Sequence, residues 1–244
     1  MLEADHISLS IDGHQILSNI SCSFHKGEIT VITGPNGAGK TMLIHALAGL
    51  LDDMEGDIRL NSAPYPAKGK ALGTGVGLVF QQPEMQVIEQ TVEEDILFGL
   101  RNLKISEEER QTRLEYALEW SGLHEHRDQN PRSLSGGEIR RLALASILAM
   151  NPDYILMDEP FENLDYPGVV ETLHQILRLK EENRGIVIVT HGLEKCLALA
   201  DRLILLKEGR IIADALPERV LNFLEDHDVR KPPMKIKDMT WLKT

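Results

Sequence analysis

Cysteine is scarce in this chain: Cys22 and Cys196 are the two among 244 residues. They are far apart and in no ligand-like spacing, which argues against a disulfide framework and a zinc site. Excess positive charge is missing as well. Lys and Arg number 26 against 38 Asp and Glu, a formal net charge of −12. Proteins whose affinity comes from nucleic-acid backbones need a basic surface, so no nucleic-acid partner is expected. Long apolar runs are also absent. The longest, Leu142 to Met150, falls far short of the ~20 residues that span a bilayer. The start, Met1-Leu2-Glu3-Ala4-Asp5, has neither the basic nor the apolar region of a secretory signal. The expectation is a soluble protein of a reducing compartment, serving a membrane only through a partner. At this length one large α/β domain is reasonable, with a core that needs no covalent or metal staple.

What the chain does contain is alternation. Short β-branched runs stand at Glu28–Thr33, Gly56–Leu60, Gly77–Phe80, Tyr154–Met157, Ile186–Thr190 and Arg202–Leu206. Several are apolar throughout, as strands covered on both faces must be. Helical patterns fall at Lys40–Leu50, Ser106–Trp120, Gly137–Met150 and Pro167–Glu182. This predicts an α/β fold with a mainly parallel sheet. The first ~30 residues alternate around the turn Asp12-Gly13 and predict an antiparallel β layer before that core. A helical insertion is expected at about 92–150, and residues 61–75 read as a surface loop. The main domain is placed at 1–229. Residues 230–244 carry five Lys/Arg, one Asp and Pro232-Pro233, a basic tail that is solvated or docked.

Gly34-Pro35-Asn36-Gly37-Ala38-Gly39-Lys40-Thr41 fits G-x-x-x-x-G-K-[ST], between a predicted strand and a predicted helix. Glycines let successive backbone N–H groups form an anion nest, and the helix N-terminus adds its dipole. Lys40 can reach the β- and γ-phosphates, and the Thr41 hydroxyl can ligate Mg²⁺. Tyr154–Met157 runs into Asp158-Glu159. A parallel strand delivers those acids to the sheet edge that carries the phosphate loop. Asp158 is placed to hold Mg²⁺ and Glu159 to polarise a hydrolytic water. Leu134-Ser135-Gly136-Gly137-Glu138 has the S-x-x-E spacing of a capping box. Its two glycines weaken the first helical turn and expose N–H groups at a positive helix end. A second phosphate site in one chain suggests nucleotide shared across an interface between two chains.

Taken together, these motifs resemble the ATP-binding-cassette (ABC) ATPases over about Leu2–Ala215. Gly34–Thr41 is similar to the Walker A loop, Tyr154–Glu159 to Walker B and Leu134–Glu138 to the signature. Gln81 resembles the Q-loop glutamine, His191 the switch histidine and Asn163-Leu164-Asp165 the D-loop. The resemblance implies the ABC ATPase fold, ATP with Mg²⁺, and catalytic roles for Glu159, His191 and Gln81. It implies Mg²⁺ ligation by Thr41, Asp158 and Gln81, and trans contact of Ser135, Gly136, Gly137 and Glu138 with a partner's nucleotide. Val79–Gln86 and Thr91–Gly99 with Asn102 resemble segments of energy-coupling-factor (ECF) and cobalt-type importer ATPases. That implies a homo- or heterodimer of ATPase subunits, a transmembrane coupling subunit and a separate substrate-binding membrane subunit. The place would be the cytoplasmic face of the membrane, and the cargo a vitamin or metal ion. The alternatives are a cytosolic ABC mechanoenzyme and a regulatory, poorly hydrolytic cassette. Three departures stand out. Glu138 replaces the signature Gln, Asn163 replaces a small residue, and Ser10-Ile11 occupies the place of an adenine-stacking aromatic, with His14 as a possible substitute. The segment 82–90, with Met85, Val87 and Ile88, is expected to hold a partner's coupling helix.

Overall fold

The computed structural model describes residues 1–51, 53–65 and 75–242. The chain opens with β1 (Leu2–Ile11) and β2 (His14–Phe24), an antiparallel hairpin. Then come β3 (Ile29–Thr33), α1 (Lys40–Leu47), β4 (Met54–Leu60), β5 (Ala63–Pro64) and β6 (Val76–Val79). The helical stretch holds α2 (Val92–Arg101), α3 (Glu107–Ser121) and α4 (Gly136–Ala149). The remainder is β7 (Tyr154–Asp158), α5 (Tyr166–Glu181), β8 (Gly185–Val189), α6 (Leu193–Cys196), β9 (Arg202–Lys207), β10 (Arg210–Ala215) and α7 (Pro217–Val220).

Two sheets form. One has the order β2-β1-β4-β5, with antiparallel pairs; the other has the order β10-β9-β3-β8-β7-β6. In the second, β9, β3, β8, β7 and β6 run parallel, and β10 closes the edge antiparallel to β9. Every residue of β3, β6, β7 and β8 is buried, as apolar strands covered on both faces require. Alternate side chains feed two cores. Ile155 and Met157 pack with Leu173 and Ile176 of α5, whereas Tyr154 and Leu156 pack with Leu43 and Leu47 of α1 and with the antiparallel sheet. A third apolar cluster joins Val92, Ile96, Leu114 and Leu118 to Leu142 and Ala145. The opposite side of α4, through Leu144, Ile147 and Leu148, belongs to the core around β7. So α4 is shared between two cores, and Trp120 of α3 adds a second attachment, packing in the same core and donating to Glu182 just beyond α5.

The predicted strands and helices fall within a few residues of those observed, while β5, β10, α6 and α7 match none of the predicted elements. Helix α1 stops at Leu47 rather than Leu50. Gly49 turns left-handed (φ 74°), and the Leu50 amide bonds back to the His45 carbonyl, ending the helix. Strand β10 was not anticipated. It follows a two-residue turn with Glu208 and Gly209 both at positive φ (48° and 70°), the hairpin geometry for which Asn-Gly or Asp-Gly is the usual signal. Of the surface loop expected at 61–75, residues 66–74 lie outside the described residues, and Ala63–Pro64 forms β5.

The basic tail docks. Met239 is buried, and Ile236, Trp241 and Leu242 pack on the core beneath α5 and β9. Trp241 stacks on Tyr166 at 5.6 Å and donates to the Glu194 carbonyl at 3.0 Å.

Candidate active site

Strand β3 ends at Thr33, and the chain turns through Gly34–Gly39 into α1. Side chains are excluded where this loop packs closely. A Cβ at Gly34, itself at φ 157°, would lie 2.0 Å from the Leu206 carbonyl oxygen. The Lys40 ammonium is buried and donates to the carbonyls of Gly34 (2.8 Å) and Pro35 (3.0 Å), which hold it at the loop. Burial lowers its pKa, opposed by the charges of Glu159 and Asp158.

Asp158 ends β7. One oxygen accepts from the Thr41 hydroxyl at 2.9 Å, while the other, Oδ1, is buried with no hydrogen-bond partner. Burial raises the Asp158 pKa, the Thr41 bond opposes that rise and the Glu159 charge adds to it. A buried carboxylate with an open lone pair beside a hydroxyl suits a hard divalent cation completed by phosphate and water oxygens. Among the described residues no group of three His, Cys, Asp or Glu is placed to hold a metal ion by itself.

Glu159 departs from the strand into the left-handed region, φ 45°, and its amide donates to the Val189 carbonyl at 2.8 Å. This swings its carboxylate toward His191 at the end of β8. There Oε1 lies 2.9 Å from His191 Nδ1 and accepts from the His191 amide at 3.2 Å. A left-handed non-glycine residue is costly and is commonly kept where function demands it.

A cleft of about 510 Å³ gathers these groups. It is lined by Lys40, Thr41, Asp158, Glu159 and His191, together with Asn36–Gly39 and Gln81. Met42 and Val189 also line it, and beyond these the sequence reading singled out neither Glu162 nor Ile16. Glu162 accepts a hydrogen bond from the Gln81 amide. Ile16 lies on β2 beside the phosphate loop and gives the cleft an aliphatic wall; of the hairpin residues weighed for adenine, His14 is not on that wall. No sequence motif marked either position.

Ser135–Glu138 stand apart from this cleft, at the N-terminus of α4. The capping box is present: the Ser135 amide and hydroxyl each donate to Glu138 Oε2 at 2.8 Å, and the Glu138 amide donates to Ser135 Oγ. Those two bonds to Glu138 lower its pKa, with His126 and Arg141 adding to the effect. A Cβ on Gly136 or Gly137 would meet nothing within 4 Å. Asp165 caps α5, accepting from the Gly168 amide at 3.0 Å. Asn163 is left-handed, φ 56°, a conformation that Asn accepts more readily than most residues, which accounts for its presence there.

The segment 80–102 is held from inside. Gln86 accepts from the Phe80 amide (2.8 Å) and donates to the Leu78 carbonyl (3.0 Å). Buried Asp95 accepts from the Ile88 amide (2.9 Å) and the Ser146 hydroxyl (2.9 Å). These clamps turn Met85 and Ile88 outward, 72% and 60% exposed, with Phe98 exposed nearby in sequence. Val87 differs from them: it is partly buried against the helical cluster. Of the apolar residues in 82–90, some of which are expected to form a groove, Met85 and Ile88 are the ones turned fully outward.

A parallel sheet with a glycine loop at one strand end, two acids at another and helices on its faces is the architecture of P-loop nucleotide hydrolases. The ABC transporter family model matches residues 17–162. A putative ABC transporter ATP-binding protein of Pyrococcus furiosus is 43% identical over 82% of this chain and 77% of its own length. The energy-coupling factor transporter ATP-binding protein EcfA2 of Clostridium perfringens is 38% identical over 93% and 81%. Among solved structures, cbiO1 of Clostridium perfringens, part of the ABC transporter complex cbiONQ, superposes with a TM-score of 0.79 at 30% identity, covering 94% of each chain. A dimeric ATP-binding cassette in a post-hydrolysis state bound to ADP and Pi gives 0.76 at 25% identity, over 89% of this chain and 99% of that one. The chain belongs to the ABC transporter family, as an ATP-hydrolysing, nucleotide-binding subunit of the ECF importer type.

Proposed function

We propose that the cleft between the phosphate loop and the ends of β7 and β8 is the hydrolytic centre, and that its cycle is passed to a membrane subunit through the exposed face at 85–98. The observation that carries this reading is the convergence of Lys40, Asp158, Glu159 and His191 on one cleft. The loop amides and Lys40 bind and orient the triphosphate. Thr41 and Asp158 hold Mg²⁺, which when bound neutralises charge on the phosphate oxygens. Glu159 takes a proton from the attacking water, and His191 fixes the Glu159 carboxylate through Nδ1 and its amide.

A second cassette completes the site in this proposal. Gly136 and Gly137 occupy helical positions where alanine has ample room and stabilises by about 1 kcal/mol. Nothing in the chain's own packing calls for them. Close approach of another chain's nucleotide to the α4 N-terminus would. Whether that chain is a copy of this one or a different cassette is open to the same chemistry. No described helix is long and apolar enough to cross a membrane. Attachment to the cytoplasmic face would therefore run through the membrane subunit, with a separate membrane component binding the cargo.

Met85→Glu and Ile88→Glu test the coupling. Both side chains point outward, so fold and basal ATPase of the isolated chain should stay near wild type. Co-purification with membrane subunits, or transport by the assembled complex, should fall at least ~10-fold, the scale of one buried apolar contact opposed by charge. Normal assembly and transport in both variants would remove this face from coupling. Val87→Glu serves as a contrast: it places a carboxylate against the helical cluster and should lower the unfolding midpoint by the equivalent of ~1–3 kcal/mol.

A further inference from the structure

We propose that Glu162 is a positioning residue that holds the Gln81 amide against one wall of the cleft and thereby limits the basal rate of hydrolysis. This rests on the reading of the cleft as the hydrolytic centre. Glu162 lines that cleft as a third carboxylate, beside Asp158 and Glu159, and its Oε2 accepts from Gln81 Nε2.

The two partners are anchored very differently. Glu162 stands on a turn fixed from several sides. Its own amide donates to the Glu159 carbonyl at 3.1 Å. Arg140 donates to the Pro160 carbonyl at 2.8 Å, and Lys195 to the Phe161 carbonyl at 3.1 Å. The Phe161 ring is buried in the core. Gln81 is exposed, and it precedes the loop that carries the outward Met85 and Ile88. The fixed partner therefore decides where the movable amide rests. With Nε2 held by Glu162, the direction of Gln81 Oε1, the oxygen that would reach a metal ion or an attacking water, is set by Glu162 as well. Engagement of the loop at Met85 and Ile88 by a membrane subunit would displace Gln81 from Glu162. The contact thus ties hydrolysis to docking.

The test uses steady-state ATPase of the purified full chain with MgATP. Glu162→Ala should raise basal kcat about fivefold, the scale of one ordinary net hydrogen bond. Glu162→Gln keeps a carbonyl acceptor for the amide and should stay within about twofold of wild type in kcat. Removal of a negative charge from the cleft should lower KM in both variants alike, so kcat separates holding from charge. In a Gln81→Ala background, Glu162→Ala should add nothing, because the group it releases is gone. Three results would each overturn the proposal: an unchanged or lower kcat in Glu162→Ala, an equal rise in Glu162→Gln, or a rise that survives Gln81→Ala. Circular dichroism and a thermal melt check folding. If the alanine variant melts early, Glu162→Ser, which cannot reach Gln81, takes its place in the same comparison. Loss of hydrolysis in Glu159→Gln with no gain in Glu162→Ala would leave the hydrolytic centre standing and remove only this inference. Absence of ATPase from the wild-type chain assembled with the cassette that completes its site would remove both.

Discussion

Glu159→Gln is expected to keep ATP bound while steady-state hydrolysis falls by at least ~10²-fold, the usual contribution of a general base. The amide is nearly isosteric with the carboxylate, and the bond that fixes the backbone runs from the 159 amide to the Val189 carbonyl, which the substitution leaves alone. Glutamine can still accept from the His191 amide. It cannot take a proton from water. The folded state and the phosphate cradle are thus preserved and the chemical step is removed. Phosphate release under saturating MgATP measures the loss. Retained binding is read from a fluorescent nucleotide, and an ATP-dependent dimer from size-exclusion chromatography. Near-normal turnover in this variant would assign the base elsewhere.

Ser135→Arg in that Glu159→Gln background should abolish the ATP-dependent dimer and leave ATP binding by each monomer unchanged. Ser135 is remote from the monomer's own cleft lining, so nothing it contacts holds nucleotide in cis. The guanidinium would fill the space beside Gly136 and Gly137, which the chain's own atoms leave open. Loss of the N-cap alone weakens α4 by roughly 1 kcal/mol, yet α4 is buried along Leu142, Leu144 and Leu148 and should remain folded. Ser135→Ala removes the cap and the hydroxyl without adding bulk, so a smaller loss of dimer in it than in Ser135→Arg measures the part due to steric blocking. A dimer that survives Ser135→Arg would refute nucleotide sharing through this helix end.

The legible parts of the sequence were those whose chemistry depends on local spacing. Gly34–Thr41 carries its nest, lysine and hydroxyl in eight consecutive residues. Ser135 and Glu138 carry a complete capping box in four. Apolar runs such as Ile186–Thr190 announce buried parallel strands because no polar face interrupts them. Glu162 was not legible, because its importance lies in meeting Gln81, 81 residues away, and no local pattern encodes that meeting. Ile16 was hidden for the same reason: it reads as an ordinary strand residue until the phosphate loop is laid beside it. Val87 shows where composition leaves two readings open. Its neighbours Met85 and Ile88 share its composition, and only the bonds of Gln86 and Asp95 determine which side chains turn out. Asp165 was read through a resemblance, and the structure adds a local duty, the cap of α5.

The left-handed backbone at Glu159 also bears on how this cassette can decay. Few side chains tolerate φ 45°: glycine, asparagine and aspartate do so with little strain, glutamine and glutamate with some, and valine, isoleucine and threonine with a great deal. Mutational drift at this codon is therefore channelled. Substitutions that extinguish hydrolysis without destroying the protein are confined to a short polar set plus glycine, whereas branched replacements are purged as misfolded chains before their enzymology matters. A lineage that turned one member of a cassette pair into a silent partner would carry one of those few residues here, so the history of activity in such pairs is recorded at a position guarded by backbone geometry.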